Sequence, residues 1–155
     1  MDYSRAFAIS AAGMTLERTR VEVAAMNLAN ANTVQGVDGV SYQPLRVVAS
    51  AAPLSSAQDF SQALGREADG LGAVGAGFAV PQAVVEPNGQ APRRVYEPGN
   101  PYADAKGYVA YAGVDNAAEM VTMMSAMRSY EANIAAMNMS KTLAVKALQI
   151  GETGS

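Results

Sequence analysis

The sequence predicts a mainly α-helical protein, with long N- and C-terminal helices packed antiparallel as a coiled-coil-like pair. Residues 4–30 contain one glycine and residues 115–150 contain none, whereas all seven prolines lie between positions 31 and 113. Apolar residues at both ends recur at spacings of three and four, which is typical of packed helices. We therefore divide the chain into a helical region 1–33, an irregular and β middle region 34–113 with a small β-hairpin, and a helical region 114–155.

The C-terminal helix is predicted to begin at an Asn116–Glu119 capping box and to end at Gly151. At 1.5 Å per residue it would be roughly 50 Å long, more than the core of a 155-residue chain can cover, so it needs partners along its length. One heptad-like seam is expected to pair with the N-terminal helix: Met120, Met123, Met127, Tyr130, Ile134 and Met137.

The N-terminal helix carries two apolar seams on roughly opposite sides. The seam formed by Phe7, Met14, Val21 and Leu28 is expected to meet the C-terminal helix of the same chain. In this pairing Arg18 would lie beside Glu131. The other seam has no partner helix in the chain, so we expect it, with a second stripe on the C-terminal helix, to contact neighbouring subunits. These positions are Ile9, Leu16, Val23, Met26, Ala136, Met139, Leu143 and Ile150. Single stripes of this kind usually form an ordinary monomer core.

In the middle region, residues 44–50, 77–86 and 93–97 are predicted strands, and Asn88-Gly89 is a turn signal for a hairpin between the second and third. Residues 51–77 are rich in Ala, Gly and Ser and are predicted to form a loop. Within it, residues 70–75 match the G-x-G-x-x-G pattern of dinucleotide-binding proteins. No strand is predicted before this match and Pro81 breaks any helix after it, so a flexible loop is the favoured interpretation.

The composition argues against most kinds of chemistry. The chain has no Cys, His or Trp, so the usual nucleophile, general base and transition-metal ligands are missing, and we expect no enzyme activity, metal or cofactor. A net charge of −3 argues against nucleic acid as a partner. No apolar run is long enough for direct membrane insertion, and the N-terminus lacks the pattern of a cleaved signal peptide. Two alternatives remain open: a small enzyme using carboxylates and the Gly-rich loop, or a secretion-system adaptor or chaperone binding client helices through its Met-rich seams.

Three motifs resemble those of the flagellar rod and hook axial proteins. The first is the string at 27–33 after the N-terminal helix, and the second is the run at 119–133 in the C-terminal helix. Residues 96–109 are similar to a segment of the proximal rod members. The chain departs from the family at Leu16-Glu17, which replaces Ala-Gln, and at residues 112–114, which replace Pro-Asn-Val. The motif positions are Asn27, Leu28, Ala29, Asn30, Thr33, Glu119, Met120, Arg128, Tyr130, Glu131 and Asn133.

The resemblance implies a structural, non-enzymatic subunit of the proximal rod in the bacterial flagellar basal body. Such a subunit is made in the cytoplasm, exported without a cleaved signal peptide through the flagellar type III export apparatus, and assembled in the periplasm. Its partners would be other rod proteins and copies of itself, packed by their terminal helices. The assembled rod would transmit torque for motility, as a drive shaft.

Overall fold

The computed structural model describes residues 3–36, 41–51 and 81–152. Helix α1 spans Tyr3–Asn30 and helix α2 spans Asn116–Glu152. The described residues between them form four short strands: β1 (Leu45–Ala51), β2 (Pro81–Pro87), β3 (Arg93–Tyr96) and β4 (Tyr108–Tyr111). The mainly helical fold class is confirmed. The Gly-rich match at 70–75 and most of the predicted 51–77 loop lie outside the described residues.

The chain forms two compact units. One comprises residues 1–16, 49–84 and 133–155, and the other comprises residues 17–48 and 85–132. In the second unit, Arg18 and Val21 of α1 border the same groove as Tyr130 of α2, and Asn27 bonds to Glu119. Because positions rise along α1 as they fall along α2, the helices are antiparallel there. In the first unit, Gly13 of α1 lies against Asn133 of α2.

The faces that the helices turn inward differ from the predicted ones. Met120 and Met127 leave 55% and 52% of their surface exposed, whereas Leu16 and Val23, expected to contact neighbours, are buried in their own chain. Leu16 and Val23 therefore do not have the predicted role, whereas Met127 borders the same groove as Val21, and the pairing of Met120 and Met127 with α1 stays a prediction. Of the remaining predicted pairing positions, Ile134 and Tyr130 are exposed. The others are half-buried: Phe7, Met14, Val21, Leu28, Met123 and Met137.

The physical reason lies in the residues that replace the predicted seam. The inward face of α1 includes small and polar side chains beside Leu16 and Val23, and that of α2 includes Ala126, which is 2% exposed. Small side chains let helices approach closely, and the side-chain amide of Asn27 is hydrogen-bonded across the contact to Glu119 of α2. Relative to the prediction, α1 is turned by about one residue, or roughly 100°. The buried positions of α1 are Ser10, Leu16, Glu17, Val23, Ala24 and Asn27.

The expected ion pair between Arg18 and Glu131 does not form. Arg18 instead bonds through Nε to Glu22 Oε1 at 2.9 Å, one turn along its own helix. Arg18 and Glu131 do line the same groove, so the approximate axial register was correct. The nearer carboxylate takes the guanidinium because an i,i+4 pair is held by the helix itself.

Helix α2 begins one residue differently from the predicted capping box. Asp115 is the N-cap: its Oδ1 accepts bonds from the backbone N–H groups of Ala117 (2.9 Å) and Ala118 (3.2 Å). Glu119, expected to complete the capping box, points instead to Asn27. At the other end the helix continues through Gly151 to Glu152, beyond the predicted stop.

The hairpin exists, but its partner strand was mispredicted. β3 pairs antiparallel with β4, with Arg93 opposite Tyr111 and Tyr96 opposite Tyr108. β1 and β2 form a separate two-stranded sheet. The Asn88-Gly89 segment therefore connects one sheet to the other and forms no hairpin turn, although Gly89 does adopt the positive φ of 75° that such a turn uses. β4 has only four residues, and no turn signal near it is strong enough to predict this strand.

The chain segment after α1 extends the hairpin. Val34 forms an isolated antiparallel bridge with Tyr111, and the N–H of Ala112 donates to the carbonyl of Thr33 at 3.1 Å. Val109 and Ala112 are fully buried beneath this arrangement. The segment thus ties the end of α1 to the hairpin that precedes α2.

We expect Gly107→Ala to destabilise the hairpin by roughly 1–3 kcal/mol, because Gly107 has a φ of +80° and an added Cβ would lie 2.9 Å from Cε2 of Tyr96. The measurement is urea unfolding followed by tyrosine fluorescence. Gly99→Ala is the matched control in the same loop, since nothing lies within 4 Å of its added Cβ. Equal stability of the two variants would contradict the assigned strain.

Candidate assembly surface

The most constrained polar group of the described structure is the side-chain amide of Asn27. It is fully buried and makes four hydrogen bonds. Nδ2 donates to the carbonyl of Leu45 at 2.7 Å and to Oε1 of Glu119 at 2.9 Å. Oδ1 accepts from the hydroxyl of Tyr42 at 2.8 Å and from the N–H of Leu45 at 2.9 Å. Every donor and acceptor site of this amide is therefore used.

This arrangement, the Asn27 centre, joins three parts of the chain. It ties the end of α1 to the start of β1 through Leu45, and to the first turn of α2 through Glu119. Burial, and then the nearby charge of Glu119, raise the pKa of the Tyr42 phenol. Because the phenol pKa is higher in the folded state, the stabilisation linked to it is fully present below the ordinary phenol pKa. It is lost as the pH rises through the pKa of the folded state. The centre is thus built for neutral pH, where the phenol donates.

The other asparagines of the 27–33 string have different tasks. Asn30 caps α1: its Nδ2 donates to the carbonyl of Met26 at 2.8 Å, and Thr33 Oγ1 lies 3.4 Å from its Oδ1. Asn32 is exposed. A simple C-cap, the default interpretation of such a string, therefore describes Asn30 and Thr33 but not Asn27. Sequence reasoning singled out the string but missed Tyr42 and Leu45, which no local pattern marks.

At the far end of the motif set, Asn133 meets α1. A Cβ on Gly13 would lie 2.8 Å from Nδ2 of Asn133, so this position leaves room for little more than hydrogen. The remaining motif side chains of α2 do not join either contact. Met120, Arg128, Tyr130 and Glu131 are all exposed, Leu28 is half-buried and Ala29 is exposed.

Helix α2 exposes a large amount of apolar side chain. Outside the inward face, these side chains recur along nearly its whole length, and several leave more than half of their surface exposed. Soluble monomers seldom leave so continuous an apolar surface uncovered, so such a surface marks an interaction site. The large apolar side chains exposed on α2 are Met120, Val121, Met124, Met127, Tyr130, Ile134, Met139, Leu143, Val145, Leu148 and Ile150. On α1, Ile9 and Met26 are exposed as well.

The loop between β3 and β4 is fixed by two carboxylates. Glu97 Oε2 accepts from Asn100 Nδ2 at 3.0 Å and from the hydroxyl of Tyr111 at 2.9 Å. Asp104 Oδ1 accepts from the backbone N–H groups of Lys106 (2.8 Å) and Tyr108 (2.9 Å). The bond from Asn100, followed by that from Tyr111, lowers the pKa of Glu97. The backbone bond from Tyr108 is the main cause that lowers the pKa of Asp104.

These lowered carboxyl pKa values predict an acid-sensitive hairpin. Because each carboxyl pKa is lower in the folded state, the stabilisation linked to it is present above the unfolded pKa of about 4. It is lost as the pH falls through the pKa of the folded state. Near-ultraviolet circular dichroism of the tyrosines should therefore decrease below about pH 4, before the helical signal is lost. In Glu97→Gln this early change should be reduced, because one of the two titrating groups is gone. An unchanged acid profile in that variant would exclude Glu97 as a cause.

No metal or membrane site stands out in the part of the chain that the structure describes. Among the described residues, no three carboxylates lie close enough together to hold a metal ion. Neither helix, over its described length, combines the length and hydropathy needed to cross a bilayer. The described cavities are open grooves between packed elements, such as the one of about 400 Å³ between α1 and α2.

Comparison with known proteins relates the chain to a family of assembly-forming proteins, in agreement with the exposed apolar surface of α2. Residues 105–150 match the family described as "Flagellar basal body rod FlgEFG protein C-terminal". The chain is 42% identical over 149 residues to flagellar basal-body rod protein FlgC of Salmonella typhimurium, covering 94% of this chain and 96% of that protein. The chain belongs to the FlgC family of flagellar basal-body rod proteins. FlgC of Escherichia coli O157:H7 is 41% identical over the same shares of the two chains.

The family also includes more distant bacteria. FlgC of Bacillus subtilis is 38% identical over 146 residues, which cover 93% of this chain and 95% of the relative. The resemblance expected from the three motifs is thus confirmed over nearly the whole length. The FlgC relatives named here are described as rod proteins. The adaptor alternative finds no support among them.

Proposed function

We propose that this chain is a structural, non-enzymatic subunit of the proximal rod of the bacterial flagellar basal body. The observation that carries the proposal is the FlgC relationship over 94% of the chain. The exposed apolar surface of α2 supports it, because a rod subunit must bury such a surface against neighbours. In this proposal the regions 1–33 and 114–155 form the packed axial layers, and the region 34–113 fills the space around them. Its partners are other rod proteins and copies of itself.

The proposed subunit has a defined export route, place of assembly and mechanical task. The subunit would pass through the flagellar type III export apparatus without a cleaved signal peptide and assemble in the periplasm. A chain without cysteine can be exported unfolded and refold without forming disulfides. Once assembled, the rod would transmit torque to the filament as a drive shaft. Stiff, continuous helices such as the 37-residue α2 suit this mechanical task.

The first test is complementation. A non-swimming strain, made by deleting the resident copy of this rod protein from a motile bacterium, should regain swimming in soft agar when it expresses this chain. Purified basal bodies should then contain the chain, as detected by mass spectrometry. Absence of the chain from the basal bodies of cells that swim would refute the proposal. Nucleotide binding or hydrolysis by the purified protein would instead favour the enzyme alternative.

The role of the α2 surface is tested by Leu143→Glu. Leu143 is 52% exposed, so a charge there should leave the monomer folded and soluble while blocking rod assembly and swimming. Asn138→Glu adds the same charge at an exposed position of the same helix that is already polar, and should assemble. Leu16→Glu should instead unfold the monomer, because Leu16 is buried in its own chain. Normal swimming of Leu143→Glu cells would show that this face contacts no neighbour.

A further inference from the structure

The groove between α1 and α2 offers an apolar site with one unpaired charge. It has a volume of about 400 Å³ and is lined by Arg18, Val21, Met127, Tyr130 and Glu131. Met127 is 52% exposed and Tyr130 is 36% exposed. Since Arg18 is bonded to Glu22, Glu131 remains the groove carboxylate without an ion-pair partner within the described part of the chain. The groove, which we call the Met127 groove, could therefore hold an aromatic ring beside a cation.

The loop between β3 and β4 presents such a pair of groups. Tyr102 is 53% exposed, and its backbone N–H is held by Asn100 Oδ1 at 3.1 Å. Lys106 is exposed, and no carboxylate in residues 3–36, 41–51 or 81–152 pairs with its ammonium group. The bonds that fix Asn100 and Asp104 make the loop rigid. A rigid, exposed tyrosine loses little conformational entropy when it inserts into a partner, which is why tyrosines are common anchors in interfaces.

We propose that Tyr102 of one subunit inserts into the Met127 groove of a second copy of this chain, with Lys106 facing Glu131 of that copy. This inference rests on the proposed rod function and names one contact within it. The occupant is argued from chemistry present on the same chain. A tyrosine ring contacts methionine sulfur and another tyrosine ring favourably. Lys106 and Glu131, neither of which forms an ion pair within the described residues, carry opposite charges. Tyr102, which we call the knob, and the Met127 groove lie on different elements, so one subunit can use both at once.

Such a contact is heterologous, because the knob of one copy meets the groove of the next. A heterologous contact leaves a free knob at one end and a free groove at the other, so it propagates into a ring or a helix. This is the symmetry that a rod requires, whereas a contact between identical surfaces would stop at a dimer. Distinguishing the two symmetries is therefore part of the test.

The test uses the absence of cysteine in the wild-type chain, which makes any introduced pair unique. Cells co-express Tyr102→Cys and Met127→Cys copies, and isolated basal bodies are treated with a thiol cross-linker. We expect a cross-linked dimer from the mixture, little from either single variant, and a ladder of multimers from the double variant Tyr102→Cys/Met127→Cys. Tyr102→Cys mixed with Ala135→Cys is the matched control, because Ala135 does not line the groove.

A charge exchange tests the same contact without cross-linking. Lys106→Glu and Glu131→Lys should each reduce the amount of chain in basal bodies severalfold, and the double exchange should restore it. Failure of the double exchange to improve on the single variants would argue against the Lys106–Glu131 pairing. Both positions are exposed, so the monomers should fold, as circular dichroism will show.

The outcomes separate this inference from the function it rests on. If the cysteine variants enter basal bodies and cells swim but no Tyr102–Met127 dimer forms, the contact is wrong and the rod function stands. A dimer without the multimer ladder also refutes the heterologous contact. A cross-link from position 102 to a different rod protein would mean that Tyr102 contacts that protein, and it would refute the proposal that the partner is a second copy of this chain. If the wild-type chain is missing from basal bodies of swimming cells, the proposed function itself fails.

Discussion

Asn27→Asp should destabilise the protein by roughly 3 kcal/mol at pH 7, the largest effect that we expect from a substitution that changes so few atoms. The new carboxylate keeps the two bonds that Oδ1 accepts from Tyr42 and Leu45. It loses both bonds that Nδ2 donates, to the Leu45 carbonyl and to Glu119. It also places a negative charge, fully buried, within hydrogen-bond distance of the Glu119 carboxylate. Urea unfolding followed by circular dichroism measures the loss.

The pH dependence of this variant identifies the cause. Protonation of the new carboxyl supplies a donor again and removes the repulsion, so the deficit relative to the wild type should shrink toward pH 4. Adding Glu119→Gln to Asn27→Asp should also recover stability, because the glutamine amide can donate to the new carboxylate. Glu119→Gln alone should cost little, since its side-chain carbonyl still accepts from Asn27. The cycle of these variants measures the coupling directly.

Two outcomes would contradict the assigned role of Asn27. One is a loss no larger than that of Asn32→Ala, the control at an exposed asparagine of the same string. The other is strict additivity of Asn27→Asp and Glu119→Gln, which would mean that the two side chains do not interact. For assembly, Asn27→Asp should lower the amount of chain in basal bodies by reducing its folded population rather than by altering a contact with neighbours.

Gly113→Ala should cost about 2–3 kcal/mol, although alanine is usually a mild replacement. A Cβ at this position would collide with the backbone carbonyl oxygen of Ala91. Neither backbone can move freely, because Arg93 pairs with Tyr111 and the N–H of Ala112 is bonded to Thr33. Relief therefore requires opening the base of the hairpin. The measurement is again urea unfolding, with the slope checked for a change in the native state.

Gly36→Ala is the control for this prediction, because nothing lies within 4 Å of its added Cβ. It should change the free energy of unfolding by less than about 0.5 kcal/mol. The same result for Gly113→Ala would mean that the close approach to Ala91 is not maintained in solution. The sequence gives one hint of this site, since Gly113 lies within residues 112–114, where the chain departs from the usual Pro-Asn-Val of the axial proteins.

The sequence allowed the helices to be predicted but not the faces that they bury. The absence of proline and the spacing of apolar residues define α1 and α2 locally. Each helix has more than one apolar seam, however, and hydrophobicity alone does not choose between them. The buried face of α1 includes Asn27, whose partners Tyr42 and Leu45 are brought to it by the tertiary fold. A buried polar group satisfied by distant residues cannot be recognised from helical periodicity.

The middle region shows a similar limit. The Asn88-Gly89 signal predicted a hairpin turn, and Gly89 does adopt a positive φ, but residues 88–92 form no turn and connect two separate sheets. The actual partner of β3 is the four-residue β4, whose pairing is supported by Val34 from outside the hairpin. The exposed apolar residues Met139, Leu143 and Ile150 were expected from the stripe on α2, and their contact with neighbours stays a prediction.

The bonds of Asn27 differ greatly in the length of chain that each encloses. The bond to the Leu45 carbonyl spans 18 positions, whereas the bond to Glu119 spans 92. The entropy of closing a flexible loop grows with the logarithm of its length, so the longer closure costs about 1.4 kcal/mol more. A chain that arrives unfolded should therefore form the Asn27–Leu45 contact early and dock α2 late. In a nascent subunit, α2 would then be the last element free to search for its place, and neighbours could compete for its apolar surface before it docks.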